Sequence, residues 1–186
     1  ENPVTRVDAP VVKEQEILPL SLPAVNKLLE TARQKKHRAC LPAVGLMLYA
    51  GIRPEEVTRL TWGDIDVEER EITIRPRHSK TGGGRHIAIC APLRRLLAPH
   101  IPSHAPESHI CPRGWKRRWH RLRHAAGFTS WVPDTLRHTY ASYYIKHSHD
   151  PATLQLYMGH RDQSLLRTRY VNLTGISRQQ ACDFWE

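Results

Sequence analysis

The feature that most constrains this chain is the run Cys40-Leu-Pro-Ala-Val-Gly-Leu-Met-Leu-Tyr-Ala50, which is apolar almost throughout and is followed at once by Gly51. It is too long for an ordinary strand and too short to cross a bilayer, so the spacing predicts a buried helix ended by a glycine. Leu22–Leu29 carries apolar residues at helical spacing, and both stretches are expected to form core. At 186 residues the chain can build one domain with a sizeable core.

Downstream of Gly51 the pattern changes. Arg53-Pro54-Glu55-Glu56-Val57 places proline and two acids where the first turn of a short helix tolerates the one and favours the others. Glu71–Arg75 and His86–Ile89 alternate apolar and polar residues on either side of Lys80-Thr-Gly-Gly-Gly84, which predicts a β-hairpin with a glycine-rich tip. Trp115–Ala126 reads as a strongly basic helix with Trp115, Trp119 and Leu122 on one face. A further helix is expected through Leu136, Tyr140 and Tyr144, with Asp134 as its N-cap, and shorter helices follow, broken near Asp150-Pro151 and Gly159. The first sixteen residues, 1–16, show no sustained period and read as a linker remnant, which leaves 17–186 as the domain. The expected class is α+β, mainly α-helical with a small antiparallel sheet.

Charge narrows the partners. The formal net charge is +10, from 28 Lys and Arg against 18 Asp and Glu, so a polyanion is expected and double-stranded DNA leads. Neither a signal-peptide pattern nor a membrane-length apolar run is present, and a cytoplasmic, nucleoid-associated protein without membrane contact is expected. Cys40, Cys90, Cys111 and Cys182 are scattered without zinc-site spacing and are expected to be reduced thiols. His120 and His124 have an i,i+4 ligand spacing but lack further evident ligands, so no metal and no cofactor is expected.

Four separated segments and a tyrosine then point to one chemistry: Gly51–Glu56, His78-Ser-Lys-Thr81, Thr135-Leu-Arg-His-Thr139 and Met158-Gly-His160, followed by Tyr170. In order and approximate spacing this series resembles the tyrosine recombinase, or phage integrase, family from about Leu22 to the C-terminus. The resemblance implies a DNA-cleaving catalytic domain of a site-specific recombinase. Tyr170 would be the nucleophile that forms a 3′-phosphotyrosyl link, Arg53 and Arg137 the phosphate clamps, Lys80 the acid for the leaving 5′-oxygen, and His160 a donor to the scissile phosphate.

Isolated, either arginine would read as a surface ion-pair member, Arg53 with Glu56 or Arg137 with Asp134. Arg117, Arg118, Arg121 and Arg123 are candidate DNA-backbone contacts. The resemblance also implies an N-terminal core-binding domain, for which this chain has no room. Its final segment, Ile176–Trp185, would dock on a neighbouring protomer in a homotetramer on DNA, with a monomer expected in isolation.

Two departures from the pattern stand out. Asp134 lies three residues before Arg137, where the family carries His or another basic group, so it reads either as a proton acceptor or as an N-cap. The interval from His160 to Tyr170 is one residue longer than the family pattern. Both leave room for a catalytically silent DNA-binding protein on the same fold, and type IB topoisomerases, which nick and reseal with similar residues, are the other alternative.

Overall fold

The structure is a computed structural model, and it describes residues 17–79, 82–159 and 175–186. The apolar run forms α2 (Leu41–Tyr49), all nine residues of which are buried. It is covered by α1 (Leu22–Arg33), the one-turn α3 (Pro54–Val57), α4 (Ala91–Leu97) and α6 (Thr135–Ser148). Gly45 explains how closely α4 approaches: a Cβ there would stand 2.9 Å from Leu96 Cδ1. Leu28, Leu46, Leu48, Leu93 and Leu97 are fully buried around this axis, each contributing about 2 kcal/mol of apolar burial.

The sheet has three antiparallel strands in the order β1 (Ile65–Asp66), β2 (Glu71–Ile74) and β3 (Arg85–Ala88). Ile72 pairs with both Ile65 and Ile87, and the isoleucines of β2 and β3 face the core. The hairpin is as the alternation predicts, although Lys80 and Thr81 lie outside the described residues. The basic helix is α5 (Trp115–Ala125), whose buried residue is Leu122, with Trp115 and Trp119 stacked at 5.7 Å.

After α6 come α7 (Pro151–Met158), capped by left-handed Gly159, and the C-terminal α8 (Arg178–Trp185), capped by the Ser177 hydroxyl. Pro151 and Gly159 therefore break the chain where the sequence places the breaks. Helix α8 packs on its own chain: Phe184 is buried, stacked on Tyr143 at 4.3 Å and tilted against Tyr49 at 5.0 Å. Tyr140, Tyr143, Tyr144 and Tyr157 all sit in α6 or α7, within the packing that their helical positions suggest. The mainly helical α+β class read from the sequence is the one observed.

Candidate active site

The site grows from the end of α2. Gly51 turns the chain with φ +61°, Ile52 buries its side chain, and Arg53 stands just before α3, its extended backbone leading into Pro54. The carbonyl of Gly51 accepts from Arg137 Nη1, and Arg137 Nη2 donates to Met158 O at 2.5 Å. Arg137, only 2% exposed, thus ties the α2 corner to the end of α7. It is a fixed cation rather than a surface arginine.

Glu56 joins the other cations. It is fully buried, and its carboxylate accepts both arms of the Arg85 guanidinium, at 3.1 and 2.6 Å. Arg53 Nη1 lies 3.2 Å from the same carboxylate, and the Arg53 backbone N–H donates to it at 3.3 Å. The Arg53–Glu56 ion pair is therefore real, but Glu56 is shared. Burial alone would raise the Glu56 pKa; the Arg85 hydrogen bonds and the charges of Arg85, Arg53 and Arg137 outweigh it and bring it to about 2. A carboxylate ionised at neutral pH in this position balances three arginines, whose planar forks suit it better than a lysine would.

Arg85 was not among the residues singled out from the sequence. Its Nε donates to Tyr157 O at 2.8 Å, so Arg85 and Arg137 between them hold the carbonyls of Tyr157 and Met158. Those carbonyls precede Gly159, whose φ is +61° and where a Cβ would stand 3.1 Å from Arg85 Cδ. The two arginines consequently set where the chain leaves α7 toward His160. The available signal was strand parity, because Arg85 shares its face of β3 with buried Ile87.

A cavity of about 300 Å³ opens beside Arg137, with Ile52, Trp119, Arg123, Trp131 and Asp134 in its wall. Asp134 precedes α6 with a left-handed φ of +66° and, contrary to its expected capping role, makes no side-chain cap bond. The reason is geometric: an N-cap side chain reaches the N2 or N3 amide from an extended backbone, and the left-handed one here does not offer that reach. Arg123 differs from its helix neighbours. Its guanidinium carbon lies 5.2 Å from the ring centroids of both Trp119 and Trp131, and its buried Nε has no hydrogen-bond partner among the described residues. Arg117, Arg118 and Arg121, by contrast, are exposed.

The segment after β2, a 3-10 turn over Pro76–His78, is rooted by Asp64, which accepts from Arg75 Nε at 2.8 Å and lies 3.6 Å from His78 Nδ1. Burial, more than any neighbouring charge, holds His78 below the usual histidine range. Lys80, His160 and Tyr170 themselves lie outside the described residues. Among the described residues no group of His, Cys, Asp and Glu is arranged to hold a metal ion.

With this geometry in place, comparison with known proteins gives the class. The phage integrase family model matches residues 20–175, and the chain belongs to that family. Tyrosine recombinase XerA of Saccharolobus solfataricus is 27% identical over 164 residues, covering 87% of this chain and 54% of the relative. The catalytic domain of bacteriophage HP1 integrase superposes with a TM-score of 0.67 at 18% identity, covering 91% of this chain and 95% of that domain. The Tn1549 transposon integrase in complex with transposon right end DNA gives 0.70 at 17% identity, covering 93% and 66%. The chain spans about half the length of the curated relatives it matches.

Proposed function

We propose that this chain is the catalytic domain of a site-specific DNA recombinase or integrase that cuts and rejoins double-stranded DNA through Tyr170. The observation that carries the reading is the convergence of Arg53 and Arg137 on the Gly51 corner, with Arg137 also anchored to the α7 end that leads to His160. Arg137 in the wall of the open cavity, with Arg53 at the same corner on Glu56, can hold the non-bridging oxygens of a phosphodiester as charge builds on them. Tyr170 Oη attacks phosphorus, the P–O5′ bond breaks, and the 5′-oxygen takes a proton from Lys80. His160 donates to the phosphate, and the carboxylate of Asp134 accepts the tyrosine proton. Attack by a second 5′-hydroxyl on the phosphotyrosine reverses the step, so the bond is conserved without a nucleotide cofactor.

The exposed Arg117, Arg118 and Arg121 follow the DNA backbone, while Arg123 reaches it from the cavity side of α5. The DNA-bound state is a homotetramer in which α8 docks on a neighbour. That exchange requires α8 to leave the Tyr49 and Tyr143 surface it occupies in the single chain. Among the described residues no helix is long and apolar enough to cross a membrane.

Asp134 motivates a second reading, a DNA-binding protein that does not cut, since a carboxylate in the cavity wall repels phosphate. A nicked suicide duplex decides between them. Cutting yields a protein–DNA adduct on a denaturing gel that Tyr170→Phe abolishes, whereas a silent binder shifts the duplex on a native gel and yields no adduct.

A further inference from the structure

A second cavity, of about 320 Å³, lies away from the catalytic one, between the turn after α1 and helix α5. Its wall is made of Lys36, His37, Arg117, Arg118 and Arg121. No residue is shared with the catalytic cavity, and helical spacing explains why: Arg117 and Arg121 repeat at i,i+4 on one side of α5, while Trp119 and Arg123 repeat at i,i+4 on another. Leu122 is buried between the two faces.

The wall holds four permanent cations and no carboxylate. Lys36, Arg117 and Arg121 have no ion-pair partner among the described residues, and Arg118 is oriented by donating Nε to Arg113 O at 3.0 Å. Like charges gathered around one hollow repel one another unless an anion enters it. His37 adds a second, independent sign. It is 8% exposed, and its Nε2 is buried with no hydrogen-bond partner among the described residues, an unfavourable condition where nothing relieves it. Burial first, and Lys36 second, hold its imidazole below the ordinary histidine range.

We propose that the hollow bounded by Lys36, His37, Arg117, Arg118 and Arg121 is an oxyanion site that takes one phosphate group, separate from the phosphate that is cut. The guanidiniums supply forked donors and Lys36 a point charge. The inference rests on the DNA reading above only for the source of that phosphate, which is either the nucleic-acid backbone or a free phosphate ion.

The test is a titration of the whole chain with inorganic phosphate at constant ionic strength, followed by NMR at the His37 ring and at the amides of residues 36–37 and 117–121. Saturable shifts are expected there, with affinity about tenfold weaker in Lys36→Ala and unchanged in Lys35→Ala, which removes the same charge one residue outside the hollow. Absence of saturable shifts, or equal weakening by both variants, overturns the site. The salt dependence of binding to a random-sequence duplex then separates the sources. A slope shallower by about 0.9 in Lys36→Ala alone assigns the site to backbone phosphate, and equal slopes with intact phosphate binding assign it to the free ion. If the wild-type chain binds no duplex at all, the DNA reading fails while the phosphate titration still decides the pocket.

Discussion

Replacing Glu56 with Gln keeps the shape of a fully buried side chain and removes the charge that Arg85 and Arg53 share. Breaking a buried pair from one side leaves its cations uncompensated, and Glu56→Gln is expected to destabilise the fold by about 3–5 kcal/mol in urea unfolding. A loss below about 0.5 kcal/mol would mean the carboxylate carries no structural charge. Because the folded pKa of Glu56, about 2, lies below the ordinary 4.5, its contribution is complete above pH 4.5 and is lost as pH falls from there toward 2. Unfolding of the wild type across that window should therefore steepen relative to Glu56→Gln. Asp134→Asn gives the opposite expectation: asparagine tolerates the left-handed backbone as well as aspartate, and no cap bond is lost, so stability should change by less than about 0.5 kcal/mol, against about 1 kcal/mol for a working cap. At this scale the sequence displays Arg53, Arg137 and Asp134 because each sits in a local motif. Arg85 escapes because its partner is Glu56, 29 residues away, and strand parity shows only that it faces inward.

The corner between α2 and α3 couples elements that are distant in sequence. Gly51→Ala meets two obstacles, a left-handed backbone and a Cβ 2.4 Å from Tyr140 Cδ1 in α6. It is expected to cost roughly 3 kcal/mol and, by moving the Gly51 carbonyl off Arg137, to lower any cleavage rate by more than the stability loss explains. Thermal melting and single-turnover cleavage of the same sample check both parts; equal melting temperatures would contradict the steric account. The elements themselves were legible, since an apolar run, a hairpin alternation and a basic amphipathic stretch each have a period that local physics enforces. What the periods do not contain is which element covers which. Phe184 packs α8 over Tyr49 and Tyr143 in the single chain, and its apolar character alone does not say which surface it covers.

For the whole molecule, a net charge of +10 is spread over a fold whose basic helix α5 faces two ways, toward the cavity beside Arg137 and toward the hollow at Lys36 and His37. If about four phosphates are neutralised, duplex affinity should fall on the order of a hundredfold between 50 and 200 mM salt, measured by fluorescence anisotropy. A salt-insensitive affinity would contradict a backbone-tracking surface. Cleavage itself requires that Tyr170 become covalently joined to the 3′ side of a broken DNA strand. Digesting the trapped adduct with nuclease and protease and sequencing the modified peptide by mass spectrometry tests it most directly. A nucleotide on Tyr170 and a 5′-hydroxyl at the cut end of the released strand are expected; a nucleotide on any other residue, or a 3′-hydroxyl at that cut end, would contradict cleavage by Tyr170.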